Sequence, residues 1–177
     1  MQICGGQLKV VSGGGNLLLG DIVGQADVWT NGGNIHLHSS RDFVHAETAG
    51  GNIHLDRIPA ANAVTGAGSI VARFVAAQKS AKNSRLETAS GDISVYLPPD
   101  LPITIQASID SGSNHFIKTD IPGIQITQGE GWPAPTFAQG ELNGGGPILK
   151  VHTTDGNIIF RRDDGKTVAL LYPERTD

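Results

Sequence analysis

The fold expected from the sequence is all-β: a single-stranded parallel β-solenoid, or β-helix, with coils of about 18 residues that lose regularity toward the C-terminus. Three observations point there. A segment reading Ser/Thr-x-x-Gly-Asn-Ile-x-Leu recurs along the chain, and apolar residues in it alternate with polar ones. Glycine is abundant, 24 of 177 residues, whereas aromatic residues make up 5% and apolar residues 38%. That composition fits many tight turns between short strands, without the Gly-X-Y period of collagen.

Residues 8–25, 26–43 and 44–61 align without gaps, each 18 residues long, and further copies begin at Ala61, Ser84 and Leu149. The marker glycines are Gly15, Gly33, Gly51, Gly68, Gly91 and Gly156. The next column holds Asn16, Asn34, Asn52, Ser69, Asp92 and Asn157, followed by Leu17, Ile35, Ile53, Ile70, Ile93 and Ile158. Three places before the glycine stand Ser12, Thr30, Thr48, Thr65, Thr88 and Thr153. Apolar residues two apart mark strands with one buried face, two per copy. One copy cannot bury that face alone, but stacked copies make a continuous core. The glycine is expected to serve a corner of positive φ. The Asn or Asp after it is expected to bond nearby turn backbone, and the inward Ser/Thr hydroxyl to satisfy a buried backbone group.

The whole chain, 1–177, reads as one solenoid domain: regular coils at about 8–97, irregular coils with loop insertions at 98–148, and a final regular coil with its cap at 149–177. Gly91 and Gly156 stand 65 residues apart, room for roughly three coils, with Gly112 as a worn marker between them. Pro98, Pro99 and Pro102 mark a turn, Gly129 to Pro135 an inserted loop, and Gly144 to Pro147 another turn. Thr167 to Tyr172 is expected to cap the last coil. The best helix candidate, Val71 to Lys82, falls where the third side of a coil belongs.

Glu87-Thr88-Ala89-Ser90-Gly91-Asp92-Ile93 followed by Leu97-Pro98, then Ile109-Asp110-Ser111-Gly112-Ser113, the Gly-rich turn before Leu149, and Thr153-Thr154-Asp155-Gly156-Asn157-Ile158 resemble the bacterial adhesin-like family of β-strand repeats, whose function is unknown. The resemblance spans most of the chain. It implies a single-stranded solenoid and a cell-envelope or extracellular setting, and it brings no catalytic residues.

Thirteen basic against seventeen acidic residues leave a formal charge of −4 without any basic block. Nucleic acid and anionic membrane surfaces are therefore unexpected partners. No apolar stretch is long enough for a transmembrane helix. Met1 to Gly6 lacks the regions of a signal peptide, so any export signal or anchor is expected outside this stretch. Cys4 is the sole cysteine, which excludes an intramolecular disulfide, and with no signal before it Cys4 does not read as a lipoprotein cysteine.

Four residues stand out as a metal-site candidate. His36 and His38 flank inward Leu37, and one period later His54 and Asp56 fall beside them, giving a two-by-two grid of imidazoles and a carboxylate. The competing reading is a solvated face whose histidines were copied with the repeat. Trp29 is expected outward between Val11 and Glu47, and Trp132 lies in the Pro-rich loop; both are candidate binding residues. A glycoside-active enzyme needs two carboxylates flanking a bond. Asp92 and Asp155 already serve turns, and Glu47 and Glu87 lack an evident acidic partner. No Ser-His-Asp arrangement or Walker loop is visible, and Gly13-Gly14-Gly15 precedes a strand, which excludes a helix-borne phosphate cradle.

The expected function is a non-catalytic, cofactor-free scaffold or adhesin-like binding module that presents a patterned β surface to a protein or surface polysaccharide. The alternatives are self-assembly through the solenoid ends, as in a homodimer, and a carbohydrate-active β-helix enzyme.

Overall fold

The structure, a computed structural model, describes residues 6–76, 82–111, 114–131 and 134–164. It is all-β, with no helix among the described residues. Strands of alternating burial occupy two sheets in turn. The first pair is β1 (Leu8–Ser12) and β2 (Leu17–Ile22), then β3 (Ala26–Thr30) and β4 (Ile35–Ser40), then β5 (Val44–Thr48) and β6 (Ile53–Ile58). β7 (Ala61–Thr65) and β8 (Ile70–Phe74) follow, then β9 (Ser84–Ser90) and β10 (Ile93–Leu97). Odd-numbered strands pair in parallel in one sheet and even-numbered strands in the other, with Leu8 beside Ala26 and Leu17 beside Ile35, one sequence period apart. The inward side chains of both sheets meet in one core, where Ile35, Ile53, Ile70, Ile93 and Ile158 are 1% exposed or less. Each such side chain contributes roughly 1.5–3 kcal/mol by leaving water.

Corner chemistry joins neighbouring strand pairs, and at Ser12 and Thr48 the hydroxyl also accepts within its own turn, from Gly15 N at 3.1 Å and Gly51 N at 3.2 Å. Thr48 Oγ1 donates to the Gly33 carbonyl at 2.9 Å, and Thr30, Thr65, Thr88 and Thr153 repeat that bond to Gly15, Gly51, Gly68 and Gly91. Asn34 N donates to Asn16 Oδ1 at 2.9 Å, Asn52 N to Asn34 Oδ1 at 2.8 Å, and Asn157 N to Asp92 Oδ1 at 2.7 Å. The inward hydroxyl thus does what the sequence predicts, while the Asn column reaches the neighbouring level in place of its own turn. The expected positive φ of the marker glycines is also corrected: of the six, Gly91 alone has one, at 153°. Close approach is the reason for glycine. A Cβ on Gly33 would sit 2.1 Å from the Gly15 carbonyl oxygen, and one on Gly51 would sit 2.0 Å from that of Gly33.

Beyond β10 the chain departs from the expected order. It makes β11 (Ile103–Ile109), β12 (Ile117–Thr119), β13 (Gln125–Gln128), β14 (Thr136–Leu142), β15 (Ile148–Asp155) and β16 (Ile158–Arg162). The nine-stranded sheet runs β1-β3-β5-β7-β9-β15-β11-β14-β13, and the seven-stranded sheet runs β12-β16-β10-β8-β6-β4-β2. The expected roughly three coils do not follow in order between Gly91 and Gly156: Leu149 lies beside Ser84 and Ile158 beside Ile93. β15 lies between β9 and β11 in one sheet, and β16 lies between β10 and β12 in the other, so the later strands sit inside the earlier ones. Asn157 continues the corner ladder outward, accepting from Phe116 N at 3.0 Å. The wholly parallel pattern also ends here, because β11–β14 and β14–β13 are antiparallel. Gly129 N donates to the Pro135 carbonyl at 2.7 Å across the ends of the expected loop, of which Trp132 and Pro133 lie outside the described residues. Gly144 (φ 86°) and Gly145 (φ 76°) make the tight turn into β15. Val71 to Phe74 is strand, not helix. Gly112, Trp132 and the Thr167–Tyr172 cap lie outside the described residues.

Candidate functional site

Because inward residues alternate with outward ones, the outer face of the nine-stranded sheet carries two rows of side chains crossing all its strands. Lys9, Asp27, His45, Asn62, Arg85 and Lys150, which hold equivalent places in their repeat copies, are neighbours along the first row. Past Lys150 the row continues into Gln106, Gln139 and Gln125. The second row begins Val11, Trp29, Glu47 and Val64 and continues Glu87, His152, Ser108, Phe137 and Thr127. Trp29 sits where expected, between Val11 and Glu47, and is 39% exposed.

The last five positions of both rows line a groove of about 860 Å³. Arg85 pairs with Glu87 along its own strand. Lys150 has no acidic partner among the described residues. Phe137 offers a half-exposed ring. Ser108 Oγ lies 3.0 Å from His152 Nδ1, and His152 Nε2 lies 3.5 Å from Asp110 Oδ2. Sequence reading saw no such Ser-His-Asp line, since its members are brought together only by the register of β11 on β15. The line lacks the rest of a nucleophilic site. β11 is flanked by β15 and β14, so the backbone N–H groups around Ser108 serve the ladders and offer no oxyanion hole. Asp110 is also largely exposed, whereas a triad acid is buried. The contacts fix the His152 ring.

The histidine grid forms only in part. His36 and His54 are register neighbours, their ring centroids 4.7 Å apart and tilted by 33°. His38 and Asp56 are not. β6 carries a bulge between Leu55 and Ile58, where Arg57 takes φ 45°, and Asp56 turns toward β8. There Asp56 is 5% exposed, with Oδ2 3.3 Å from His54 Nε2 and Oδ1 3.9 Å from Arg73. Arg73 is also buried; it pairs with Asp163 at 3.1 Å and lies 5.1 Å from the Tyr96 ring. Burial opposes ionisation of Asp56, but the hydrogen bond and charge of His54, with Arg73 and His36, outweigh it and hold the carboxyl below its usual range. Burial also lowers the His36 pKa, helped by repulsion from His54 and His38. His38 instead bonds Arg57 at 2.6 Å and faces Asp21 at 3.9 Å. Among the described residues no three His, Cys, Asp or Glu side chains are arranged to hold a metal ion.

The groove residues on β13 and β14 escaped sequence reading, because neither strand carries the repeat. The available signal was the alternation of Thr136–Leu142 on the far side of a Gly-Pro loop from Gln125–Gln128. Comparison with protein-family models, with curated proteins and with solved structures finds no match for this chain.

Proposed function

We propose that the chain is a parallel β-solenoid that works as a non-catalytic binding module of the cell envelope, through the outer face of its larger sheet. The supporting observation is the pair of side-chain rows that end in the groove of about 860 Å³. Side chains of every kind occupy equivalent outward places, while inward places are monotonous. A wall of that sort recognises a partner laid across it. Catalysis would need convergent groups around a reacting atom, and the Ser108–His152 contact has no oxyanion donors beside it. The test is an NMR titration with a panel of extended glycans and peptides. Saturable shifts confined to the two rows, without turnover, support the module. Fluorophosphonate labelling of Ser108 together with ester hydrolysis lost in Ser108→Ala would replace it by an enzyme.

A second reading, association through an end of the stack, rests on the asymmetry of the two ends. Leu8, Val10, Leu17 and Leu19 are only partly buried, whereas their neighbours Ala26, Val28, Ile35 and Leu37 are 1% exposed or less. Val11 and Leu18 are 62% and 81% exposed beside them. At the other end the β13–β14 hairpin closes the larger sheet. Concentration-dependent mass in sedimentation equilibrium, abolished by Leu18→Lys, supports this reading. A strict monomer removes it.

A further inference from the structure

We propose that the groove on the larger sheet binds an extended acidic polysaccharide, with a sugar carboxylate on Lys150 and hydroxyl-bearing neutral sugars across the glutamines. The inference rests on the binding-module reading and adds the ligand class.

The shape comes first. The lining takes two outward residues from each of β9, β15, β11, β14 and β13. Four strand spacings make the groove ~19 Å long across the strands, while two outward residues make it only ~7 Å along them. A long narrow trough suits a polymer lying perpendicular to the strands. A peptide adding to a sheet uses backbone groups at an edge; this groove lies on a face and recognises only through side chains.

The chemistry follows the first row. Gln106, Gln139 and Gln125 stand on three successive strands at one repeating step. Each amide both donates and accepts, as sugar hydroxyls require. Phe137, between Ser108 and Thr127 in the second row, supplies an apolar face for the C–H side of a ring. At the other end of the row the charge is one-sided. Glu87 engages Arg85, but Lys150 has no acidic partner among the described residues, in a chain of net charge −4. A carboxylate placed there gains a charge-assisted hydrogen bond that a neutral sugar lacks.

Calorimetry with glucuronoxylan and with its carboxyl-reduced form tests this. The acidic polymer should bind saturably and the reduced form roughly tenfold more weakly, the worth of one charge-assisted hydrogen bond. Lys150→Ala should remove that difference. A Gln106→Ala, Gln139→Ala pair should weaken both forms, and Lys118→Ala, exposed on β12 of the smaller sheet, should change neither. Circular dichroism confirms that the variants fold. Equal binding of the two polymers would overturn acid recognition while leaving the module reading intact. No binding of the acidic polymer would overturn the inference outright, and the peptide and glycan titration would then judge the module alone.

Discussion

The first six strands and the last six differ in what they leave outside. From Leu8 to Ile58 the chain repeats one period, and its inward columns, Thr–carbonyl bonds and Asn ladder recur level by level. From Ile103 to Arg162 the inward rules persist, with Thr153 and Asn157 keeping their corner bonds. The order of levels is permuted, however, and an antiparallel hairpin is added. The groove forms where that second region adjoins β9, whose Arg85 and Glu87 line its near end. A faithful repeat makes a uniform wall, and a concave site arises where extra chain breaks the period while the core columns hold the sheet in register.

If the inward columns carry the fold, damage in the regular region should be severe and graded by contact. Ile53→Asp places a charge at a site 0% exposed, between Ile35 and Ile70. It should cost about 5 kcal/mol or more and leave no folded protein by circular dichroism. The adjacent glycines Gly50 and Gly51 sharpen the point. Gly51→Ala drives a Cβ against the Gly33 carbonyl and should cost about 2–3 kcal/mol in urea unfolding. Gly50→Ala meets open space and should stay within ~0.5 kcal/mol. Equal effects at the two would discard close approach as the reason for the column.

The buried ions test the region where the repeat first slips. Asp56→Asn leaves Arg73 with Asp163 as its charged partner and should cost about 2 kcal/mol at neutral pH. The acid limb has a definite sign. Asp56 is depressed below its ordinary 3.8, so its contribution is complete above that pH and is lost as pH falls through the lower folded value. His36 is depressed below 6.5, so the unfolded chain takes that proton first and stability begins to decline from about that pH downward. Urea midpoints against pH should show both slopes in the native protein, and Asp56→Asn should keep the upper one and reduce the acid one, to which Asp21, held low by its Ser39 hydrogen bond, still contributes. A smaller loss belongs to the corner hydroxyl. Thr48→Val leaves the Gly33 carbonyl without its side-chain donor and should cost about 1 kcal/mol.

Much of the inward architecture was legible because it is local and repeated. Ile35, Ile53 and Ile70 share a column in the sequence and a line in the sheet, since a parallel ladder preserves register one period at a time. The histidine grid failed at one residue: the bulge at Arg57 sends Asp56 to Arg73, and a one-place slip reassigns every later partner in a strand. Trp29 was placed correctly because β3 has no such slip.

The sequence by itself determined that this chain is all-β, which residues of the repeat copies face inward, and, away from the bulge in β6, which of their outward residues are equivalent. Period-two alternation and the turn chemistry of Thr, Gly and Asn are encoded within each copy. Only the tertiary structure decided that β15 inserts between β9 and β11, that β14 folds back antiparallel, and that Lys150 therefore stands between Arg85 and Gln106. The physical reason is that strand order is set by which exposed edge a later strand reaches and satisfies with its backbone groups. That competition is between segments tens of residues apart, and neither periodicity nor local propensity records its outcome.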